Sequence, residues 1–92
     1  MAIEMRTQVQ GMTDEQWEGF ATHVLPQIKT FPGFIAHASG SVEGGRYVTE
    51  FWESREAHEK WLHEVIVPAM QQAGGGQPPQ LHYLSADVVI TR

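Results

Sequence analysis

The chain of 92 residues has no cysteine, which removes disulfides, thiolate metal sites and cysteine nucleophiles together. Cations are scarce as well: six Lys and Arg stand against eleven Asp and Glu, for a net charge of -5. Phosphate-backbone binding draws on clustered Lys and Arg, and the six here are scattered, so no nucleic-acid partner is expected. No apolar run approaches the roughly 20 residues that span a bilayer, so no membrane partner is expected either. The opening MAIEMRTQVQ alternates polar and apolar residues and lacks the basic head and apolar run of a secretory signal. A soluble, cytoplasmic protein is the expectation.

What remains is an ordinary globular composition, 41% apolar and 18% charged, unlike that of a disordered chain. The length fits one domain, residues 1–92. A chain this short buries a modest share of its surface, so association with a second copy is a natural way to enlarge the core.

Residues 2–10 alternate, Ile3, Met5, Thr7 and Val9 against Glu4, Arg6, Gln8 and Gln10, which is the period of a half-buried strand. Thr13 and Gln16 have capping-box spacing and open a helix with Trp17, Phe20, Ala21, Val24, Leu25 and Ile28 on one face. Pro26 lies off that face, so a kink toward solvent is expected in place of a break. The helix should stop near FPG at 31–33, followed by a strand over 34–42 and a tight EGG hairpin at 43–45. A third strand over 46–53 then sets Tyr47, Thr49 and Phe51 against Val48, Glu50 and Trp52. Ser54 is a good N-cap for a second helix with Ala57, Trp61, Leu62, Val65, Ile66 and Ala69 on its apolar side. GGGQPPQ at 74–80 reads as a loop and 81–91 as a last strand.

The order β-α-β-β-α-β is the split βαβ arrangement of ferredoxin-like α+β domains, an antiparallel sheet with two helices on one face. The other face, holding Trp52, Val48, Leu84, Val88 and Ile90 or the residues alternating with them, is too apolar for water. It reads as a homodimer surface, where two sheets close into a dimeric α+β barrel and lose their open edges.

Residues 31–70, FPGFIAHASGSVEGGRYVTEFWESREAHEKWLHEVIVPAM, and above all FWESREAHEKWL, resemble the antibiotic biosynthesis monooxygenase family of dimeric α+β barrels. That family shows an aromatic-rich third strand ending in Trp-Glu-Ser and then a helix with a nearby aromatic or histidine. The resemblance implies a ligand pocket between sheet and helices and, in its cofactor-free members, oxygen chemistry that rests on the substrate itself. Related barrels include haem-degrading enzymes, quinol monooxygenases and isomerases. The haem-degrading branch implies an Asn on strand one, a Trp in helix two and a His about three turns beyond. Trp61 stands where that Trp would, but the chain has no asparagine and Gln71 occupies the histidine's place, so haem is not expected.

HEKWLH at 58–63 looks like a zincin motif at first sight, yet its histidines are five apart instead of four. On a helix that spacing turns them about 140° from each other, too far to share one ion. His58 falls near the centre of the apolar face, toward the resembled family's pocket, and His63 on the polar side beside Glu59. Two roles stay open for His58: a structural imidazole bonded to a backbone carbonyl, or a general acid or base acting on a phenol or quinol. His37 is the second candidate, on the side of Ile35 and Ser39, with its facing undecided; His23 reads as solvated and His82 as a rim residue.

Trp17, Phe20, Phe51 and Trp61 read either as core or as walls for a small apolar or aromatic ligand. Glu50, if buried, calls for an ion pair, with Arg6 or Arg46 as candidates. With no dinucleotide fingerprint and no convincing ligand cluster, no cofactor or metal is expected. The function the resemblance implies is a cofactor-independent monooxygenase acting on a quinol, anthrone or polyketide-like substrate. The alternatives are a non-catalytic ligand-binding or dimeric interaction module, and an isomerase or cyclase in the same pocket.

Overall fold

Alternating strands and amphipathic helices each need a partner layer for their apolar side, and one arrangement satisfies all of them. The computed structural model describes residues 1–72 and 79–92. Its elements are β1 (Ile3–Gln10), α1 (Asp14–Ile28), β2 (Phe34–Val42), β3 (Gly45–Trp52), α2 (Arg55–Trp61), a π turn (Leu62–Ile66), α3 (Val67–Gln72) and β4 (Leu81–Ser85). The strands pair antiparallel in the order β2-β3-β1-β4, so the α+β, ferredoxin-like reading of the sequence holds. Among the described residues no helix is long and apolar enough to cross a membrane.

Both helix starts follow their capping residues. Gln16 N–H donates to Thr13 Oγ1 at 3.1 Å and Thr13 N–H to the Gln16 side chain at 3.0 Å, while Ala57 N–H donates to Ser54 Oγ at 3.1 Å. Each bond satisfies a donor that a helix start leaves open. Helix α1 continues through Pro26, which is exposed as its position off the apolar face requires.

The core is Val24, Ile28, Trp52 and Trp61, with Phe20, Phe31, Phe34, Val65, Ile66 and Ala69 packed around it. Phe31 and Phe34 meet the fully buried Trp52 edge-on, at centroid distances of 6.1 and 5.5 Å, the geometry that ring quadrupoles favour. The helices therefore cover the Trp52 face of the sheet. Of the two alternatives left for the open face, the residues alternating with Trp52 and Val48 take it on β3: Trp52 and Val48 are buried, and the open face carries Tyr47, Thr49 and Phe51, with Glu4, Arg6, Ala36, Ala38 and Leu84 beside them. Alternation separates two faces, and the larger ring set decides which one the helices take.

Three departures from the sequence reading shape the site. A β-bulge between Phe34 and Ala36 leaves Ile35 unpaired, so Phe34 and His37 both stand on the covered face. The second helix widens into the π turn, where Val67 N–H reaches back five residues to Leu62 C=O. Pro68 follows at once; a proline lacks the next donor and its ring collides with the carbonyl four residues back in a regular helix, a conflict that widening relieves. The last strand stops at Ser85 instead of reaching residue 91: Ser85 pairs with Ile3, the first residue of β1, and beyond that pair Ala86 N–H donates to Ala2 C=O at 2.9 Å. Of the expected loop at 74–80, residues 74–78 lie outside the described residues.

Gly33 carries the chain from α1 into β2 at φ +88°, and a Cβ there would stand 2.6 Å from Ala57 Cβ. A left-handed backbone costs an L-residue roughly 1–2 kcal/mol, and forcing α2 aside adds a similar amount. Gly33→Ala is expected to lower the unfolding free energy by about 2–4 kcal/mol, measured by urea denaturation.

Candidate active site

Between the covered sheet face and the helices lies a cavity of about 80 Å³. Its walls come from β1 (Met5, Thr7, Val9), β3 (Val48, Glu50), α1 (Trp17, Phe20, Val24), α2 (His58, Trp61) and the π turn (Leu62, Ile66). His37 on β2 and Met12 and Met70 complete much of the remainder. The lining is almost wholly apolar. Its polar side chains are Thr7, whose hydroxyl donates to Gln80 C=O at 2.7 Å, and the group His37, Glu50 and His58.

Glu50 is only 4% exposed, so its carboxylate must find donors within the protein. Trp52 Nε1 donates to Oε1 at 3.0 Å and His37 Nδ1 donates to Oε2 at 2.7 Å. With the His37 ring proton on Nδ1, Nε2 is an acceptor, and Ser39 Oγ donates to it at 3.0 Å. Neither Arg candidate reaches Glu50: Arg6 pairs with Glu4 at 2.7 Å, and Arg46 with Asp14 at 3.0 Å. Strand geometry explains the first case, since Arg6 lies on the open face and Glu50 on the covered one.

His58 is 2% exposed. Its Nδ1 lies 2.8 Å from the Tyr83 hydroxyl, so the partner is a side chain and not a backbone carbonyl. Its Nε2 lies 3.8 Å from Glu50 Oε1, beyond hydrogen-bond distance. Burial lowers the His58 pKa below its ordinary value near 6.5, against the opposing pull of Glu50 and Glu59, so the ring is neutral at pH 7. Burial likewise raises the Tyr83 phenol above 10, with Glu59 adding to the rise and Arg55 opposing it.

Glu50, His37 and Ser39 are bonded in the order of a hydrolase triad, but Ser39 lines none of the cavity wall, so its hydroxyl serves to orient His37. Both His37 nitrogens are engaged in these bonds and offer no lone pair to a metal. Among the described residues no group of three or more His, Cys, Asp or Glu is arranged to hold an ion.

The structure brings His58, His37, Trp17, Phe20 and Trp61 to one cavity. Phe51 is the exception: it pairs with Glu4 and Ala36 on the open face and takes no part in the wall, because strand alternation sends it opposite to Glu50 and Trp52. His63 is exposed as expected, while Glu59 lies 3.8 Å from Arg55; His23 and His82 are exposed. Tyr83 escaped the sequence reading. Its signal is alternation, since with Leu81 it shares the inward parity of β4, directly opposite Met5 on β1.

No protein-family profile and no curated protein sequence matches the chain. Solved structures do. Rv0793 from Mycobacterium tuberculosis superposes with a TM-score of 0.75 at 13% identity, covering 99% of this chain and 100% of that one. SnoaB, described as a cofactor-independent oxygenase from Streptomyces nogalater, gives 0.69 at 13% identity over 99% and 97% of the two chains. A Bordetella bronchiseptica protein that carries the name antibiotic biosynthesis monooxygenase gives 0.71 at 18% identity over 95% and 98%. The chain has the fold of the antibiotic biosynthesis monooxygenase structures.

The lowered His58 pKa ties stability to pH. Below about 6.5 the unfolded chain protonates this imidazole before the folded protein does, so the contribution of His58 is complete above that pH and is lost as pH falls through the lowered folded value. Urea midpoints measured across this window are expected to fall more steeply on acidification in the wild type than in His58→Gln.

Proposed function

We propose that this chain is a cofactor-independent monooxygenase of the antibiotic biosynthesis monooxygenase type, a cytoplasmic homodimer acting on a small phenolic or quinol-like aromatic. The observation that carries the reading is the unbridged 3.8 Å between His58 Nε2 and Glu50 Oε1 in a largely apolar cavity. A substrate hydroxyl beside these atoms donates to one and accepts from the other. His58 and Glu50 then act as an acid–base pair, one taking the proton while the other supports the oxyanion. The electron-rich anion reduces oxygen, carbon–oxygen bond formation gives a peroxide, and loss of water leaves the oxidised ring. Apolar walls such as Trp17, Phe20 and Trp61 keep water from the intermediates.

The cavity of about 80 Å³ is smaller than the roughly 150 Å³ that accepts benzene in a dry protein interior. Binding a ring therefore displaces wall side chains. Met12 and Met70 are suited to this, as flexible residues shared with an adjoining groove of about 640 Å³ beside α1. That groove has room for the remainder of a larger substrate.

The homodimer reading is supported by the open sheet face, where Phe51, Tyr47, Ala36, Ala38 and the 44% exposed Leu84 await cover. Light scattering at micromolar protein is expected to give twice the chain mass of 10.3 kDa; the mass of a single chain would remove the dimer from the proposal.

Oxygen uptake by metal-stripped protein across a panel of quinols and anthrones tests the chemistry. Uptake that drops by about 10²-fold or more in His58→Ala is expected. Turnover without oxygen would instead indicate an isomerase, and saturable binding with no turnover a ligand-binding module.

A further inference from the structure

The proposed chemistry leaves Tyr83 without a role, although its hydroxyl is bonded to the buried His58. Tyr83 is the middle residue of the five-residue β4. Its ring meets His58 edge-on at 5.4 Å. The Arg55 guanidinium lies over the same ring, 4.5 Å from its centroid. Beyond it runs a groove of about 810 Å³ that Tyr83 shares with Arg55, Glu59 and His82. One side chain thus touches both the enclosed imidazole and the outer surface of the domain.

The neighbours of His58 fix the direction of the bond. A neutral imidazole carries a single ring proton. Glu50, facing Nε2 from β3 at 3.8 Å, attracts an N–H there and repels a bare lone pair. Nδ1 is then the acceptor, and the Tyr83 hydroxyl, facing it from β4, donates. Glu59 on the helix of His58 itself, Arg55 over the Tyr83 ring and His37, reached through Glu50 from β2, are the further charged or titratable groups near it among the described residues.

A neutral imidazole is a very weak acid, so it releases Nε2–H only if Nδ1 gains a proton in the same movement. We propose that Tyr83 is a positioning and proton-lending residue: its hydroxyl holds His58 with Nε2–H toward the cavity and supplies Nδ1 when that proton is given up. The lending step rests on the monooxygenase reading above; the positioning does not.

The proton count closes. Glu50 takes the phenolic proton, His58 Nε2–H passes to the peroxide as water is lost, and Tyr83 O–H passes to Nδ1. Glu50 then returns its proton to Nε2, and Nδ1–H returns to the Tyr83 oxygen. Arg55 stands where it steadies the transient tyrosinate, by charge and across the ring face.

Nitrogen NMR of His58 in the free wild-type protein tests the positioning, and a signature of Nε2–H with bare Nδ1 is expected. Nδ1–H in the wild type would overturn the proposal outright. In Tyr83→Phe, which keeps the ring, the single tautomer is expected to give way to a mixture, and kcat on an active quinol to drop about 10²-fold with little change in KM. A solvent isotope effect and pH profile unchanged from wild type would overturn the lending step. Silence of the wild type toward every quinol and anthrone would overturn it too, together with the monooxygenase reading, while the NMR result, obtained without substrate, still decides the tautomer.

Discussion

A carboxylate enclosed at the centre of the covered sheet face governs much of what surrounds it. An ionised group away from water costs several kcal/mol unless donors replace its hydration. Trp52 Nε1 and His37 Nδ1 fill that requirement for Glu50. Bonding to Glu50 orients the Trp52 indole, and that indole presents the surfaces against which Phe31, Phe34 and Trp61 pack. The same bond draws His37 inward on β2, where the bulge at Ile35 makes room for both His37 and Phe34 on one face. A single polar demand therefore arranges the hydrophobic core and the polar end of the cavity together.

Much of this was legible in the chain because it follows from local rules. The Thr13 capping box, the Ser54 cap, the alternation of β1 and β3 and the apolar face of α1 are properties of neighbouring residues, and all are present. His58 was legible for the same reason, since helical periodicity alone puts it among Trp61 and Leu62. What escaped depends on atoms distant in sequence. The parity of β3 was plain, but choosing Glu50's face over Phe51's requires knowing where the helices lie. The β-bulge shifts the alternation of β2 by one residue and so settles His37. Tyr83 is tied to His58 across 25 positions, a contact that no spacing rule encodes. β4 ends where β1 begins to pair, a limit set by the partner strand and not by the apolar residues Val88 and Ile90 themselves.

The polar side chains Glu50, His37 and His58 and the apolar walls divide the cavity into two ends with different stiffness. At the polar end, His37 is bonded to Glu50 between β2 and β3 and His58 to Tyr83 between α2 and β4, so each pair is held to the sheet. At the other, Met12 and Met70 are unbranched and carry no directional bond to lock them. Orientation of a ligand's hydroxyl can thus be strict while the shape of its remainder is loosely constrained, and the fold separates the two without a moving domain.

The π turn at Leu62–Ile66 has a meaning in terms of chain length. It stores one residue more than a regular helix needs over the same rise, without losing the continuity of the helix. His58 and Trp61 lie before it, Ala69 and Met70 after it, and all four face inward or line the cavity. Winding the same residues as a regular helix would rotate everything downstream by about 100° relative to everything upstream. The wider winding, by taking up the surplus residue, keeps the two halves of the helix addressed to the same interior.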